Sequence, residues 1–275
     1  GDFDCLIALG GGSPIDTAKA MAVLATHGGE MRDYKVPNQV DRCNFPIIAI
    51  PTTAGTGSEV TRFTVITDTD TDEKMLCMGL AYVPQAALVD YTLTVTMPWR
   101  LTADTGIDTL THAIEAFVSK KQNPFTDSVA KSCMALVARH LRTACKEPDN
   151  APAREAMMLA ATQGGMAFSN ASVCMVHGMS RPIGAHFHVP HGLSNAMLLP
   201  AVTAFSAPEA MTRYADCARA MGTAGELDTN DVAVGKLIDE LSSLNHDLKV
   251  PSPKKKLPFH FVFYISVLFV PKICF

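Results

Sequence analysis

Short apolar runs separated by polar or glycine-rich turns mark the first hundred residues: Cys5 to Leu9, Phe45 to Ile50, Phe63 to Ile66 and Ala86 to Val89. Bounded in this way, they read as buried strands. Between the first two, Ile15, Ala18, Met21, Ala22 and Leu24 recur at helical spacing over Ser13 to His27, and Pro14 falls in the first turn, which tolerates it. Strand, glycine turn, helix and strand in that order form an α/β unit. From about Pro98 the pattern lengthens into helical segments: Leu101 to Ser119, Phe125 to Lys146, Ala153 to Phe168, Pro208 to Met221 and Asp231 to Leu244. The expected organisation is an α/β portion over 1–97 and an all-α portion over 98–253.

The end of the chain departs from this pattern. Lys254-Lys255-Lys256 leads into residues crowded with Phe, Val and Ile, and the segment 254–275 reads as an aberrant apolar tail, of the kind an altered reading frame or a retained intron produces. Its run from Phe259 to Val270, bracketed by Pro258 and Pro271, is short of the roughly 20 apolar residues a helix needs to span a bilayer, so no membrane anchor is expected. At the other end, Gly1-Asp2-Phe3-Asp4 has no initiator methionine and no secretory pattern, and the chain is expected to begin partway through a longer product.

Composition narrows the partners. The 275 residues are 48% hydrophobic, enough for a substantial core, and the net charge of -4 offers no broad basic surface for nucleic acid or an anionic membrane. A small-molecule partner is expected. Eight cysteines are scattered without a C-x-x-C pair, which argues against both a zinc ribbon and a disulfide framework; the cytosol fits, as does the mitochondrial matrix.

Gly10-Gly11-Gly12-Ser13 ends a strand and opens a helix, where unpaired backbone N–H groups and the helix dipole favour a phosphate. It is neither a Walker motif, since Thr17-Ala18-Lys19 stands where Gly-Lys-Ser/Thr is required, nor the spaced G-x-G-x-x-G fingerprint. A bare strand-to-helix connection without ligand has the same look. A second turn, Pro51-Thr52-Thr53-Ala54-Gly55-Thr56-Gly57-Ser58-Glu59, also follows an apolar strand, and its hydroxyls and glycines suit a nucleotide's phosphates and ribose. Two such turns after neighbouring strands suggest a shared crevice.

Asp108 and His112 stand four residues apart on one face of a helical segment. Alone, such a pair is more often an ordinary helix contact. Further on, His177 and His191 each precede a glycine, and His177, His186, His188 and His191 fall in a stretch rich in proline and glycine that reads as loop. Asp108 with His112, His177 and His191 completes a donor set for a divalent ion with a position open to substrate; iron(II) and zinc both fit. His186 and His188 compete for ligand roles but read as pocket lining, and Asp104 and Glu115 are candidates for orienting the imidazoles.

Taken together, Gly-Gly-Gly-Ser-Pro-Ile-Asp at 10–16, Pro-Thr-Thr-Ala-Gly-Thr-Gly-Ser-Glu-Val-Thr at 51–61, Gly-Ile-Asp-Thr-Leu-Thr-His-Ala-Ile-Glu-Ala at 106–116, His-Gly-Met at 177–179 and Pro-His-Gly-Leu-Ser-Asn-Ala at 190–196 resemble the iron-containing, or group III, alcohol dehydrogenases over about residues 1–253. The resemblance implies an α/β dinucleotide-binding domain with a parallel sheet, incomplete at its N-terminus, followed by a helical metal-binding domain, with the active site between them. It implies Asp108, His112, His177 and His191 as metal ligands, Gly11, Gly12 and Ser13 under the cofactor pyrophosphate, Asp16 supporting that turn, and Thr52, Thr53, Thr61 and Lys74 at the nucleotide. Iron(II), with zinc as the other candidate, and NAD, with NADP not set aside, are the implied cofactors; a small alcohol and its aldehyde are the implied substrates, and a homodimer is compatible. Two other readings stay open: an inactive fragment of such an enzyme, and a lyase like dehydroquinate synthase, which shares the fold. Members are longer at both ends, and the missing start carries the residue that distinguishes NAD from NADP. Arg181 stands where many members have a further histidine near the substrate, which favours an acidic or polar substrate.

Overall fold

The structure is a computed structural model that describes residues 3–251. The expected tail at 254–275 lies outside the described residues. Strand β1 (Leu6–Gly10) pairs in parallel with β2 (Ile47–Pro51), which pairs in parallel with β5 (Ala86–Ala87), giving the order β1-β2-β5. Helix α1 (Gly12–His27) lies on one face of this sheet, burying Ile15 and Ala22 against Ala8, Ile47 and Ala49. The period of two along a strand sends Ile7 and Leu9 to the other face, where they are 65% and 59% exposed.

Two strand expectations change. The run Phe63 to Ile66 does form a strand, β3 (Phe63–Asp68), but it pairs antiparallel with β4 (Glu73–Met78) in a separate hairpin and is only partly buried. The sequence hides β4 because Glu73 and Lys74 open it; Met75 and Cys77 on its inner face nevertheless keep the alternation. The fourth run shortens to the two residues of β5, beyond which Leu88 and Val89 are exposed.

The helical part is built around α2 (Trp99–Val118), on which Ile107, Leu110, Ala113 and Phe117 are all 0% exposed. Helices α3 (Pro124–Lys146) and α4 (Ala151–Asn170) pack on it, each opened by an asparagine cap, Asn123 and Asn150, with proline in the first turn. Gly106 admits α3 closely, since a Cβ there would stand 2.2 Å from Leu141 Cδ1.

The stretch expected to be loop between His177 and His191 is helical: α5 (Met175–Phe187) carries Pro182 inside it, and α6 (His191–Ser206) starts directly after Pro190 and carries Pro200. Tertiary burial overrides the breakers here. Leu193, Ala196, Met197 and Leu199 of α6 all sink into the core around α2. The segment expected to be helical from Pro208 divides into a 3₁₀ turn, Ala207–Ala210, and α7 (Met211–Ala220), and α8 (Asn230–Asp247) closes the described chain. Among the described residues no helix is long and apolar enough to cross a membrane.

Candidate metal centre and nucleotide turns

Three helices bring four donor residues together. Asp108 and His112 are one turn apart on the buried face of α2, His177 lies in the first turn of α5, and His191 is the first residue of α6. The glycine after His191 has a mechanical reason: a Cβ on Gly192 would stand 2.4 Å from the Asp104 carbonyl oxygen, so only glycine lets α6 start this close to α2. One ligand atom from each of Asp108, His112, His177 and His191 lies within 4.8 Å of the others.

The spacing fits a small divalent cation. Asp108 Oδ1 is 3.9 Å from His112 Nε2, 3.5 Å from His177 Nε2 and 3.8 Å from His191 Nε2. Four donors at bonding distance around a tetrahedral ion stand about 3.4 Å apart, so the Asp108–histidine spacings are near those of a closed shell, while the widest pair in the set, within 4.8 Å, has further to contract. One carboxylate oxygen with three imidazole nitrogens is also a donor set that suits iron(II) or zinc. His112 is stacked between Phe168, 4.3 Å away, and the His177 ring, 4.7 Å away, so its ring plane is fixed. Its Nδ1 faces the Gly55 backbone without reaching good hydrogen-bond geometry.

The electrostatics invite a cation. Burial pushes Asp108 up, but the surrounding imidazoles outweigh it and hold the carboxyl well below its usual range, so it stays ionised. Burial presses His177 down, yet the Glu115 and Asp108 carboxylates on its two sides raise it to about 9. Burial lowers His112 to about 3, the Asp108 charge only partly offsetting it. His191 is brought down to about 4 by desolvation although 42% of its side chain is exposed, because its Nε2 points inward, 3.3 Å from the buried Asn195 amide.

Of the two acids considered as orienting partners, Glu115 fills the role, with Oε2 2.6 Å from His177 Nδ1. Asp104 instead pairs with Arg100, one turn back on α2. His188, held in left-handed backbone (φ 52°) at the end of α5, lines a cavity of about 300 Å3 with Lys74, Gly184, Pro190 and His191, whereas His186 is exposed. Lys74 reaches this cavity from β4, its Nζ lying 3.1 Å from where a Gly184 Cβ would stand. Arg181, exposed, follows His177 by one turn of α5.

The glycine turn and the Thr-rich turn meet. Gly11 caps α1 with no side-chain bond, leaving the Gly12 and Ser13 N–H groups at the helix N-terminus, and Ser13 is exposed. A Cβ on Gly11 would stand 3.1 Å from Thr53 Cγ2, and one on Gly12 2.9 Å from Thr56 Cγ2. Thr52 N donates to the Gly10 carbonyl at 3.0 Å, tying the turns together. Asp16 spends both oxygens within the fold, accepting from Ser58 Oγ at 2.5 Å and Val65 N at 2.9 Å. Thr61, expected at the nucleotide, is 2% exposed, and its hydroxyl accepts from Lys19 Nζ at 3.0 Å; burial turns it into a brace rather than a surface contact. The Thr-rich turn also touches the metal helix, because Thr109 Oγ1 donates to the Gly55 carbonyl at 3.2 Å.

Sequence reasoning passed over two contributors. Asn195, one turn after His191, was visible only as part of a motif, and Lys19, buried under the glycine turn, gave no signal apart from its place on the inner face of α1.

Residues 1–91 match the iron-containing alcohol dehydrogenase family and residues 102–257 the Fe-containing alcohol dehydrogenase family, C-terminal. The NADPH-dependent butanol dehydrogenase of Clostridium saccharobutylicum is 41% identical over 262 residues, covering 94% of this chain and 66% of that protein. The 1,3-propanediol dehydrogenase of Klebsiella pneumoniae is 39% identical over 255 residues, 92% of this chain and 66% of the relative. Among solved structures, an alcohol dehydrogenase from Oenococcus oeni matches with a TM-score of 0.89 at 35% identity, over 92% of this chain and 66% of that one. The chain therefore spans just under two thirds of the length of these relatives. With both family matches in chain order and the fold shared, the chain belongs to the iron-containing alcohol dehydrogenase family.

Proposed function

We propose that the chain carries the metal centre and part of the nucleotide site of a metal-dependent, NAD(P)-linked alcohol dehydrogenase, with an α/β dinucleotide-binding domain over 1–97 and a helical metal-binding domain over 98–253. The observation that carries this is the convergence of the Asp108, His112, His177 and His191 donor atoms within 4.8 Å, on three helices of which α2 touches the Thr-rich turn. Asp108, His112, His177 and His191 would hold a divalent cation, iron(II) or zinc, which would supply Lewis acidity at a substrate oxygen, and a bound nicotinamide would supply hydride exchange.

The protein's own groups prepare that chemistry. Glu115 accepts the His177 Nδ1 proton and so leaves Nε2 facing the centre. His112 and His177, 4% and 3% exposed, keep water from one side, while the partly exposed His191 opens the other side to the cavity bounded by Lys74 and His188. The Gly12 and Ser13 N–H groups at the positive end of α1, with Gly11, Thr52 and Thr53 beside them, suit a pyrophosphate, and Lys74 brings a cation to the cavity beside His191. Arg181, one turn after His177 on α5 and near enough to His191 to bear on its charge, favours substrates with a polar or acidic group, so hydroxy acids join short alcohols as candidates.

The test is NAD(P)H-linked turnover of a panel of short alcohols, diols and hydroxy acids by the metal-loaded chain, with both nucleotides. Turnover dependent on the metal supports the proposal; metal-independent turnover contradicts it. A second reading, binding without turnover, is favoured by the exposure of Ile7 and Leu9 on a face that parallel sheets normally cover. It predicts bound metal and no turnover with any substrate in the panel.

A further inference from the structure

Lys19 lies two turns into α1 and is 0% exposed. Its ammonium has three protons and three acceptors: the Thr61 carbonyl at 3.0 Å, the Thr61 hydroxyl at 3.0 Å and the Phe63 carbonyl at 2.8 Å. One turn earlier on the same face, Asp16 accepts from Ser58 Oγ and Val65 N through its carboxylate, and from Thr64 Oγ1 at 2.8 Å through its carbonyl. Glu59 ties the same segment to α4 by accepting from Thr162 Oγ1 at 2.8 Å. The charged groups that face the ammonium are Asp16 and Glu59. Strands β1 and β2 and the 3₁₀ turn Leu80–Tyr82, which also pack on α1, bring none, and the Asp68 carboxylate at the far end of β3 is paired with Arg32.

This clamp stands behind the place proposed for a pyrophosphate. At the N-terminus of α1 the Thr-rich turn meets glycines, Thr53 against Gly11 and Thr56 against Gly12, which offer no side chain to hold it. The gap between the two turns is fixed instead where residues 58–65, continuing directly from the Thr-rich turn, attach to Asp16 and Lys19. A neutral amine has two protons and a lone pair, so one of the three acceptors would face that lone pair and the clamp would loosen. Charge works in the same direction. Lys19 is seven residues beyond Gly12, about 10 Å along the helix axis, and a dianionic pyrophosphate at the N-terminus favours the ammonium over the amine. Burial lowers Lys19 to about 8, against the pull of Asp16 and Glu59, so the two forms exchange in an accessible pH range.

We propose that Lys19 is a positioning residue for the nucleotide: its charged ammonium sets the gap between the glycine turn and the Thr-rich turn, and nucleotide binding is coupled to that charge. The inference rests on the nucleotide site proposed above. Linkage is reciprocal, so a nucleotide that binds the charged form better must draw a proton onto Lys19 when it binds at alkaline pH. The Lys19 contribution to stability moves the other way across the same interval, because deprotonation relieves the desolvation of the buried ammonium. A loss of nucleotide affinity there is therefore not a loss of fold.

The test is fluorescence titration of the full, zinc-loaded chain with NADH and NADPH between pH 7 and 9.5, the zinc keeping the imidazoles of its centre from titrating. Affinity of the unaltered chain is expected to fall about fivefold or more across this range, and calorimetry at pH 9 in buffers of different ionisation enthalpy is expected to show proton uptake on binding. Lys19→Met is expected to bind as weakly at pH 7 as the unaltered chain does at pH 9.5. Lys19→Arg, charged throughout, is expected to restore binding and remove the alkaline loss. An equal alkaline loss in Lys19→Arg, or an affinity in the unaltered chain that does not change with pH, would overturn the inference. Should the variants not fold, absence of proton uptake by the unaltered chain overturns it equally. The nucleotide site fails separately: a folded chain that binds neither nucleotide at any pH sinks that site and the inference with it, whereas equally tight binding at every pH sinks the role of Lys19 alone.

Discussion

Glu115 and His177 form a buried pair in which Oε2 is 2.6 Å from Nδ1, while the other carboxylate oxygen accepts from the Val176 N–H at 2.6 Å. Both oxygens are thus committed, one to the ring and one to the backbone beside it. The ring can neither rotate nor change tautomer without breaking a charged hydrogen bond, and its Nε2 stays directed at the centre.

Glu115→Gln tests this pair. The amide can still accept from Val176, but if its nitrogen faces His177 Nδ1 it reverses the tautomer and puts a proton on Nε2. Metal affinity is expected to fall about 10- to 100-fold with the helical circular dichroism unchanged, as chelator competition would read. Affinity equal to that of the unaltered chain would show that the pair is only structural.

Lys19 gives a stability prediction. Its ammonium is 0% exposed and donates to the Thr61 carbonyl, the Thr61 hydroxyl and the Phe63 carbonyl, with the Asp16 and Glu59 carboxylates nearby. Lys19→Met leaves these groups without their cation and is expected to cost about 3–5 kcal/mol in denaturant unfolding.

The same group sets a pH dependence. Burial lowers Lys19 from 10.5 to about 8, the two carboxylates opposing the shift, so between these pH values the unfolded chain binds the proton more than the folded one does. The Lys19 contribution to stability therefore rises with pH across that interval. Burial also raises Asp16 and Glu59, whose contribution changes the other way: folded carboxyls keep protons that unfolded ones have lost, and stability falls as pH rises through that acid window. Unfolding free energies of the unaltered chain and Lys19→Met, compared from pH 8 to 10.5, check the alkaline limb. A flat difference would contradict it.

Gly57 and Gly165 hold the Thr-rich turn against α4. Gly57 has a left-handed backbone (φ 64°), and a Cβ on Gly165 would stand 2.7 Å from the Gly57 carbonyl oxygen. Gly165→Ala must push the turn away, so nucleotide affinity is expected to fall at least severalfold while metal content holds. Fluorescence titration with NADH and NADPH beside metal analysis would show it, and parallel losses of both ligands would mean that the turn and the metal centre are not separable.

Why some of this was legible and some was not follows from the range of the forces involved. The glycine turn, α1 and the Asp108–His112 pair are encoded locally, by turn chemistry and by a helical period, and each stands where the sequence placed it. Helices α5 and α6 are not local in that sense. Their prolines at 182, 190 and 200 signal loop, and what makes them helical is burial of residues such as Leu193 and Leu199 against partners far along the chain. Strand β4 was hidden for a related reason, its charged Glu73 and Lys74 masking an alternation that only pairing with β3 reveals. Thr61 reads as one more hydroxyl in a polar turn until the fold buries it beside Lys19. The contacts of Asn195 are to three side chains from three helices, and nothing in its own sequence neighbourhood announces them.

The central claim is that these helices form one metal centre, and metal stoichiometry tests it most directly. Chains purified without chelator, reconstituted with iron(II) or zinc and freed of excess ion are expected to hold one metal ion each, and His177→Ala, folded by circular dichroism, is expected to hold none. A folded, unaltered chain that retains no metal, or a His177→Ala variant that retains one, would contradict the account.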